Sequence, residues 1–228
     1  MSTPGREHAI REHHLAVRKT ARYCTLGATG AVVREVWFVL HGHGQLATYF
    51  IRHFAVLDDG TRLVVAPEGL NRFYLEPTTW RGAGAARVGA TWMTREERLI
   101  EIDDYVRYLD ALYDEVFRTV QRAATRVTVL GFSQGVATAA RWLCRGRASA
   151  ERFILWAGPF PPELDHAAAA PLRATSVARV LGDTDEMASP DIVAAEDARL
   201  RLAGIAAGLV RFAGGHQLDR DTLRSIAG

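Results

Sequence analysis

Val127-Thr-Val-Leu130-Gly131-Phe132-Ser133-Gln134-Gly135 decides the reading of this chain. Val127 to Leu130 is a short apolar run of the kind that forms a strand buried on both faces. It leads directly into Gly-x-Ser-x-Gly, and Val136 to Leu143 then has the composition of a helix, stopped by Gly146. A serine on so sharp a strand-to-helix turn needs small neighbours, because a side chain two residues before or after would crowd the backbone. The turn raises the hydroxyl at the carboxyl end of the strand and points a helix N-terminus at the same spot, where developing negative charge is stabilised. Ser133 is therefore the expected nucleophile.

The flanking sequence repeats the same grammar. Val36 to Leu40, Leu63 to Ala66, Phe153 to Trp156, Val177 to Leu181 and Leu209 to Phe212 read as short buried strands. Amphipathic segments between them read as helices: Leu46 to Leu57, a long one opened by a Thr94-Arg-Glu-Glu97 capping box, Asp191 to Ala207, and a last one from Asp219. This alternation predicts an α/β protein with a mostly parallel central sheet and helices on both faces. Residues 14–36, with a turn signal at Gly27-Ala-Thr-Gly30, predict an N-terminal antiparallel hairpin. Residues 1–12 read as a loose polar start, and Glu68 to about Thr94 as a long loop. No repeat or linker divides residues 1–228, so one domain is expected.

Composition narrows the function classes. Hydrophobic residues make up 48% and charged residues 24% of 228 positions, and 28 basic against 26 acidic residues leave a formal charge of +2. No nucleic-acid footprint is expected from so even a balance. No apolar run reaches the ~20 residues of a membrane span, and the polar start lacks the apolar core of a secretory signal. A cytoplasmic location is the resulting expectation. Cys24 and Cys144 match no redox or metal spacing and read as free thiols.

A serine hydroxyl needs a histidine to take its proton and a carboxylate to orient that histidine. In chains built on this strand–turn–helix motif the acid and then the histidine follow the serine in order. Only His166 and His216 follow Ser133. His216 stands just after the last strand, at Gly214-Gly215, whereas no strand ends at His166, which reads as a surface residue. Asp183 and Asp185 both follow the strand ending at Leu181, and by spacing either can serve as the acid. Acyl transfer also needs two preorganised N–H donors for the oxyanion. Gln134, directly after the serine, supplies one through its backbone. The glycine-rich His41-Gly-His-Gly44 loop supplies the other, from the backbone of His43. His41 and His43 are also spaced for metal ligation, but no acidic or cysteine partner stands nearby, and neither metal nor cofactor is expected. Tyr74, Trp80, Trp92 and Met93 in the long loop, and Phe160 after the fourth apolar run, are candidates to line an apolar acyl pocket.

Five stretches together carry a family resemblance: Leu40-His-Gly-His-Gly44, Ala66-Pro-Glu68, Leu130-Gly-Phe-Ser-Gln-Gly135, Leu181-Gly-Asp-Thr-Asp-Glu186 and Gly215-His216. Over roughly residues 36–220 the chain resembles the phospholipase/carboxylesterase family of α/β-hydrolases, which includes the acyl-protein thioesterases. The resemblance implies the α/β-hydrolase fold and cofactor-free hydrolysis of carboxylic esters or thioesters. It selects Asp185 over Asp183 as the acid and carries the oxyanion donors onto His43 and Gln134. Thioesterase members usually carry an apolar residue where His43 stands, a departure here, and the long loop with Trp80 and Trp92-Met-Thr-Arg95 looks more like a bacterial esterase subgroup. The expected activity is thus hydrolysis of small to medium acyl esters. Thioesterase or lysophospholipase action on lipidated substrates, and a non-catalytic binding protein on the same fold, are the alternatives. Members of the resembling family often pair, which makes a homodimer the expectation that the resemblance carries.

Overall fold

The computed structural model describes residues 10–76 and 86–228. One seven-stranded sheet organises them, formed by β1 (Tyr23–Gly27), β2 (Glu35–Leu40), β3 (Arg62–Pro67), β6 (Arg126–Phe132), β7 (Arg152–Trp156), β8 (Ser176–Gly182) and β9 (Ala207–Phe212) in the spatial order β1-β3-β2-β6-β7-β8-β9. All neighbours are parallel except β1 and β3. A second, two-stranded sheet pairs β4 (Asn71–Tyr74) with β5 (Val88–Thr91).

Period-two alternation explains how the central strands bury both faces. Val36, Phe38 and Leu40 of β2, with Val127 and Val129 of β6, join a core covered by α2 (Arg98–Val116), α3 (Gln134–Arg145) and the end of α4 (Pro190–Leu202). Trp37, Val39, Leu130 and Phe132 point the other way, into a core closed by α1 (Ala47–Phe50), the 3₁₀ turns Ile51–Leu57 and α5 (Arg220–Ala227). The apolar runs are unbroken because both faces are covered. The fold expected from them is the fold observed.

Several local expectations need correction. The N-terminal strand is antiparallel, as expected, but it does not form a hairpin with the next strand. Tyr23 to Gly27 pairs with Pro67 to Leu63 of β3, because both edges of β2 are already taken by the parallel partners β3 and β6. The Thr94–Glu97 capping box does not form. α2 starts at Arg98 behind Glu97 at φ 48°, without a side-chain cap, while the Thr94 hydroxyl accepts the Glu96 N–H at 3.2 Å. The Leu46–Leu57 helix is one α-helical turn continued as 3₁₀. The long loop contains the β4–β5 pair. The last helix begins as expected at Asp219, whose carboxylate accepts the Thr222 N–H at 2.8 Å. Cys24 and Cys144 are free thiols, and no described helix is long and apolar enough to cross a membrane.

Candidate active site

Ser133 sits between the end of β6 and the start of α3 at φ 53°, ψ −118°. A residue with a Cβ reaches this region only under strain, on the order of 1–3 kcal/mol, and holds it where the surroundings over-determine the turn. Here they do. The Ser133 N–H is bonded to the Trp156 carbonyl at 2.9 Å. A Cβ at Gly131 would stand 2.4 Å from the Gly135 oxygen, and one at Gly135 would stand 2.2 Å from the Leu40 oxygen. The flanking glycines thus let α3 start hard against β6 and β2, as their spacing implied.

His216 and Asp185 converge from two other strand ends. Asp185 follows β8, and its side chain is fully enclosed. One carboxylate oxygen accepts the Met187 N–H at 2.9 Å, and the other lies 2.9 Å from His216 Nδ1. His216, after β9, is partly open to solvent, and its ring lies 5.1 Å from that of Phe132, the residue before Ser133. Asp183 points elsewhere: it is half exposed and pairs with Arg211 at 3.3 Å. Of the two aspartates left open by spacing, only Asp185 meets the histidine. His166 lies apart from this site, against Arg173.

The loop after β2 closes the site from the opposite side. Gly42 packs so near that a Cβ there would be 3.2 Å from Ser133 Cβ. The Gly42 N–H bonds Gln45 Oε1 at 2.8 Å, and the Gly44 N–H bonds the Ala90 carbonyl at 2.8 Å. Among the described residues the His43 N–H has no partner. Gln134 is the first residue of α3, where a backbone N–H lacks an intrahelical acceptor.

His41 anchors this loop rather than facing it. Its ring is fully buried, and Nδ1 donates to the Gly42 carbonyl at 2.7 Å while Nε2 accepts the Gly69 N–H at 2.9 Å. Both nitrogens are committed, which removes His41 from the metal-ligand alternative. His43, on the surface, stacks on Phe73 at 4.9 Å. Burial pushes the His41 imidazole down to about 4 against the ordinary 6.5. The unfolded chain binds this proton below pH 6.5 and the folded chain only below about 4, so stability is lost as pH falls through that window. The expected loss is on the order of 3 kcal/mol. Urea unfolding at pH 7 and pH 4 measures it, and His41→Gln, which keeps a donor and an acceptor but does not titrate, should lose that much less. An identical acid loss in both proteins would reject the assignment.

Glu68, beyond β3, grips the same loop from below. Its enclosed carboxylate accepts Arg22 Nη2 at 2.7 Å, Arg72 Nε at 2.7 Å and the Ala47 N–H at 3.1 Å. Burial alone would raise this carboxyl, but the two guanidiniums and the Ala47 N–H outweigh it and hold it below the usual range. The sequence marks this residue only as the end of Ala66-Pro-Glu68.

The expected acyl pocket needs the larger correction. Trp92 is 1% and Phe160 0% exposed, so both pack the core and neither lines an opening. Trp92 stacks on His41 at 5.0 Å and donates from Nε1 to the His41 carbonyl at 2.9 Å. Met93 is partly buried against the same core, with Sδ 3.6 Å from Arg141 Nη1. Tyr74 is half exposed on β4, and Trp80 lies outside the described residues. A cavity of about 510 Å³ beside the end of the His41–Gly44 loop is lined by Gln45, Leu46, Tyr49, Phe50, Leu75 and Val88, among others. The apolar residues directly after His41-Gly-His-Gly44 are the available signal, which helical periodicity reads only as one face of a helix.

No family model matches the sequence, and no curated protein does. Solved structures do. Esterase PE8 aligns with a TM-score of 0.65 over 91% of this chain and 96% of its own, at 21% identity. Acyl-protein thioesterase 2 of Zea mays gives a TM-score of 0.65 over 91% and 96%, at 15% identity. SOBER1 of Arabidopsis thaliana gives 0.63 over 85% and 96%, at 17% identity. At these identities the likeness is one of fold alone, the α/β-hydrolase fold.

Proposed function

We propose that this chain is a serine hydrolase that cleaves carboxylic esters of small to medium acyl chains through an acyl-enzyme on Ser133. The observation that carries the proposal is the meeting of three strand ends: Ser133 held at φ 53°, with His216 beside Phe132 and 2.9 Å from the enclosed Asp185. The Nδ1–H of His216 donates a hydrogen bond to the Asp185 carboxylate, which fixes the tautomer that leaves Nε2 as the base for the serine hydroxyl. The serine oxygen attacks the ester carbonyl, and charge on the carbonyl oxygen falls to the backbone N–H groups of His43 and Gln134. Imidazolium then protonates the leaving alcohol, and water repeats the sequence to release the acid. The work-alike folds of esterase PE8 and acyl-protein thioesterase 2 support hydrolysis of an ester or thioester.

A fluorophosphonate probe tests the chemistry without knowledge of the substrate. Folded protein is expected to be labelled stoichiometrically at Ser133 and urea-unfolded protein not at all. Absence of labelling on the folded protein would favour the non-catalytic binding role. Hydrolysis rates across p-nitrophenyl esters of rising chain length, with a thioester series beside them, then separate small-acyl esterase from lipid thioesterase.

A further inference from the structure

The side chain of Gln134 takes no part in the scheme above, which uses only its backbone. Its amide is nevertheless fully engaged. Nε2 donates to the Met93 carbonyl at 2.9 Å and to the Thr91 hydroxyl at 3.0 Å, while Oε1 accepts the Trp92 N–H at 3.2 Å. A flipped amide would set oxygen against the Met93 oxygen and nitrogen against the Trp92 N–H, so these partners fix its orientation. The three contacts clamp residues 91–93, the exit of β5, to the first turn of α3.

That exit is itself tied to the loop across the site. The Trp92 indole donates to the His41 carbonyl and stacks on the His41 ring, and the Gly44 N–H bonds Ala90. A continuous path therefore runs from the Gln134 amide through Trp92 to His41 and Gly44, on either side of His43. The residue carrying one proposed oxyanion donor holds the segment that anchors the other.

We infer that the Gln134 side chain is a positioning residue that sets the spacing of the two oxyanion donors by latching the Trp92 segment to the nucleophile turn. The inference rests on the assignment of the His43 and Gln134 N–H groups as those donors. Every variant at position 134 other than proline keeps the backbone N–H, so an effect of substitution belongs to the side chain.

The test is Gln134→Ala, read in two ways. With p-nitrophenyl acetate, kcat is expected to fall about 10- to 100-fold, the scale set by a donor displaced rather than removed, with KM within about threefold. In hydrogen exchange, the Gly44 amide is expected to exchange about tenfold faster, while the β7 and β8 amides stay as in the wild type. Trp92→Phe breaks the same path at its indole bond, so the double variant should cost less than the product of the two single effects. An unchanged kcat, or multiplicative single effects, overturns the inference. If the wild type hydrolyses no ester, the proposed function fails, and the exchange arm still decides whether the latch holds the loop. Should Gln134→Ala not fold, Gln134→Met, which fills the same space without hydrogen bonds, is measured in its place.

Discussion

Ser133→Ala is expected to lower kcat for a chromogenic short-chain ester by on the order of 10⁴- to 10⁶-fold while leaving the urea midpoint nearly unchanged. The two halves of this result have separate physical origins. Alanine lacks the oxygen that forms the acyl-enzyme, so what survives is the catalysis that binding and oxyanion donors lend to direct attack by water. Alanine also carries the same Cβ, so the backbone at φ 53° is no better or worse accommodated than with serine. The Trp156 carbonyl still accepts the N–H of residue 133. Steady-state kinetics and equilibrium unfolding on one preparation check both halves. Full activity in a folded Ser133→Ala protein would remove Ser133 from the chemistry and the proposed function with it.

Asp185→Asn and Asp183→Asn should part sharply. The first is expected to reduce kcat about 10⁴-fold, because an amide in that place can turn its NH₂ toward His216 and stabilise the tautomer with the proton on the wrong nitrogen. The geometry makes the substitution consequential. Asp185 has no access to solvent, and its two oxygens are already divided between Met187 and His216. Asp183→Asn loses only a half-exposed pair with Arg211, which contributes little, and kcat should stay within about threefold. Equal losses in the two variants would dissolve the assignment of the acid. Both comparisons are made at saturating substrate, so that a change in binding does not pass for a change in chemistry.

How much of this was legible in the sequence depended on whether one residue type had one plausible use. The turn around Ser133 was readable because only glycine satisfies the close approaches at positions 131 and 135. The strands were readable because burial on both faces leaves unbroken apolar runs. The two aspartates were not separable by spacing, since the difference between them is which way each side chain points after Gly182. Trp92 and Phe160 are buried where the sequence suggests a lining, because an aromatic in a loop beyond a strand looks the same whether it lines an opening or packs beneath it. The partner of β1 was hidden for a related reason. The turn at Gly27 and Gly30 is real, with positive φ at both, but which edge was free to accept the strand was decided by β2 and β3. The role of the Gln134 amide was invisible, because its partners are mostly backbone groups forty residues away.

The strained turn at Ser133 also bears on how such a protein responds to selection in the laboratory. A glycine at position 133 would relieve the steric conflict at φ 53°, and relief of this kind is on the order of 1 kcal/mol or more. A library screened for heat resistance alone would therefore enrich the very change that deletes the hydroxyl. Thermal robustness and turnover pull in opposite directions at this one position, so a screen for hardier variants must demand activity in every round.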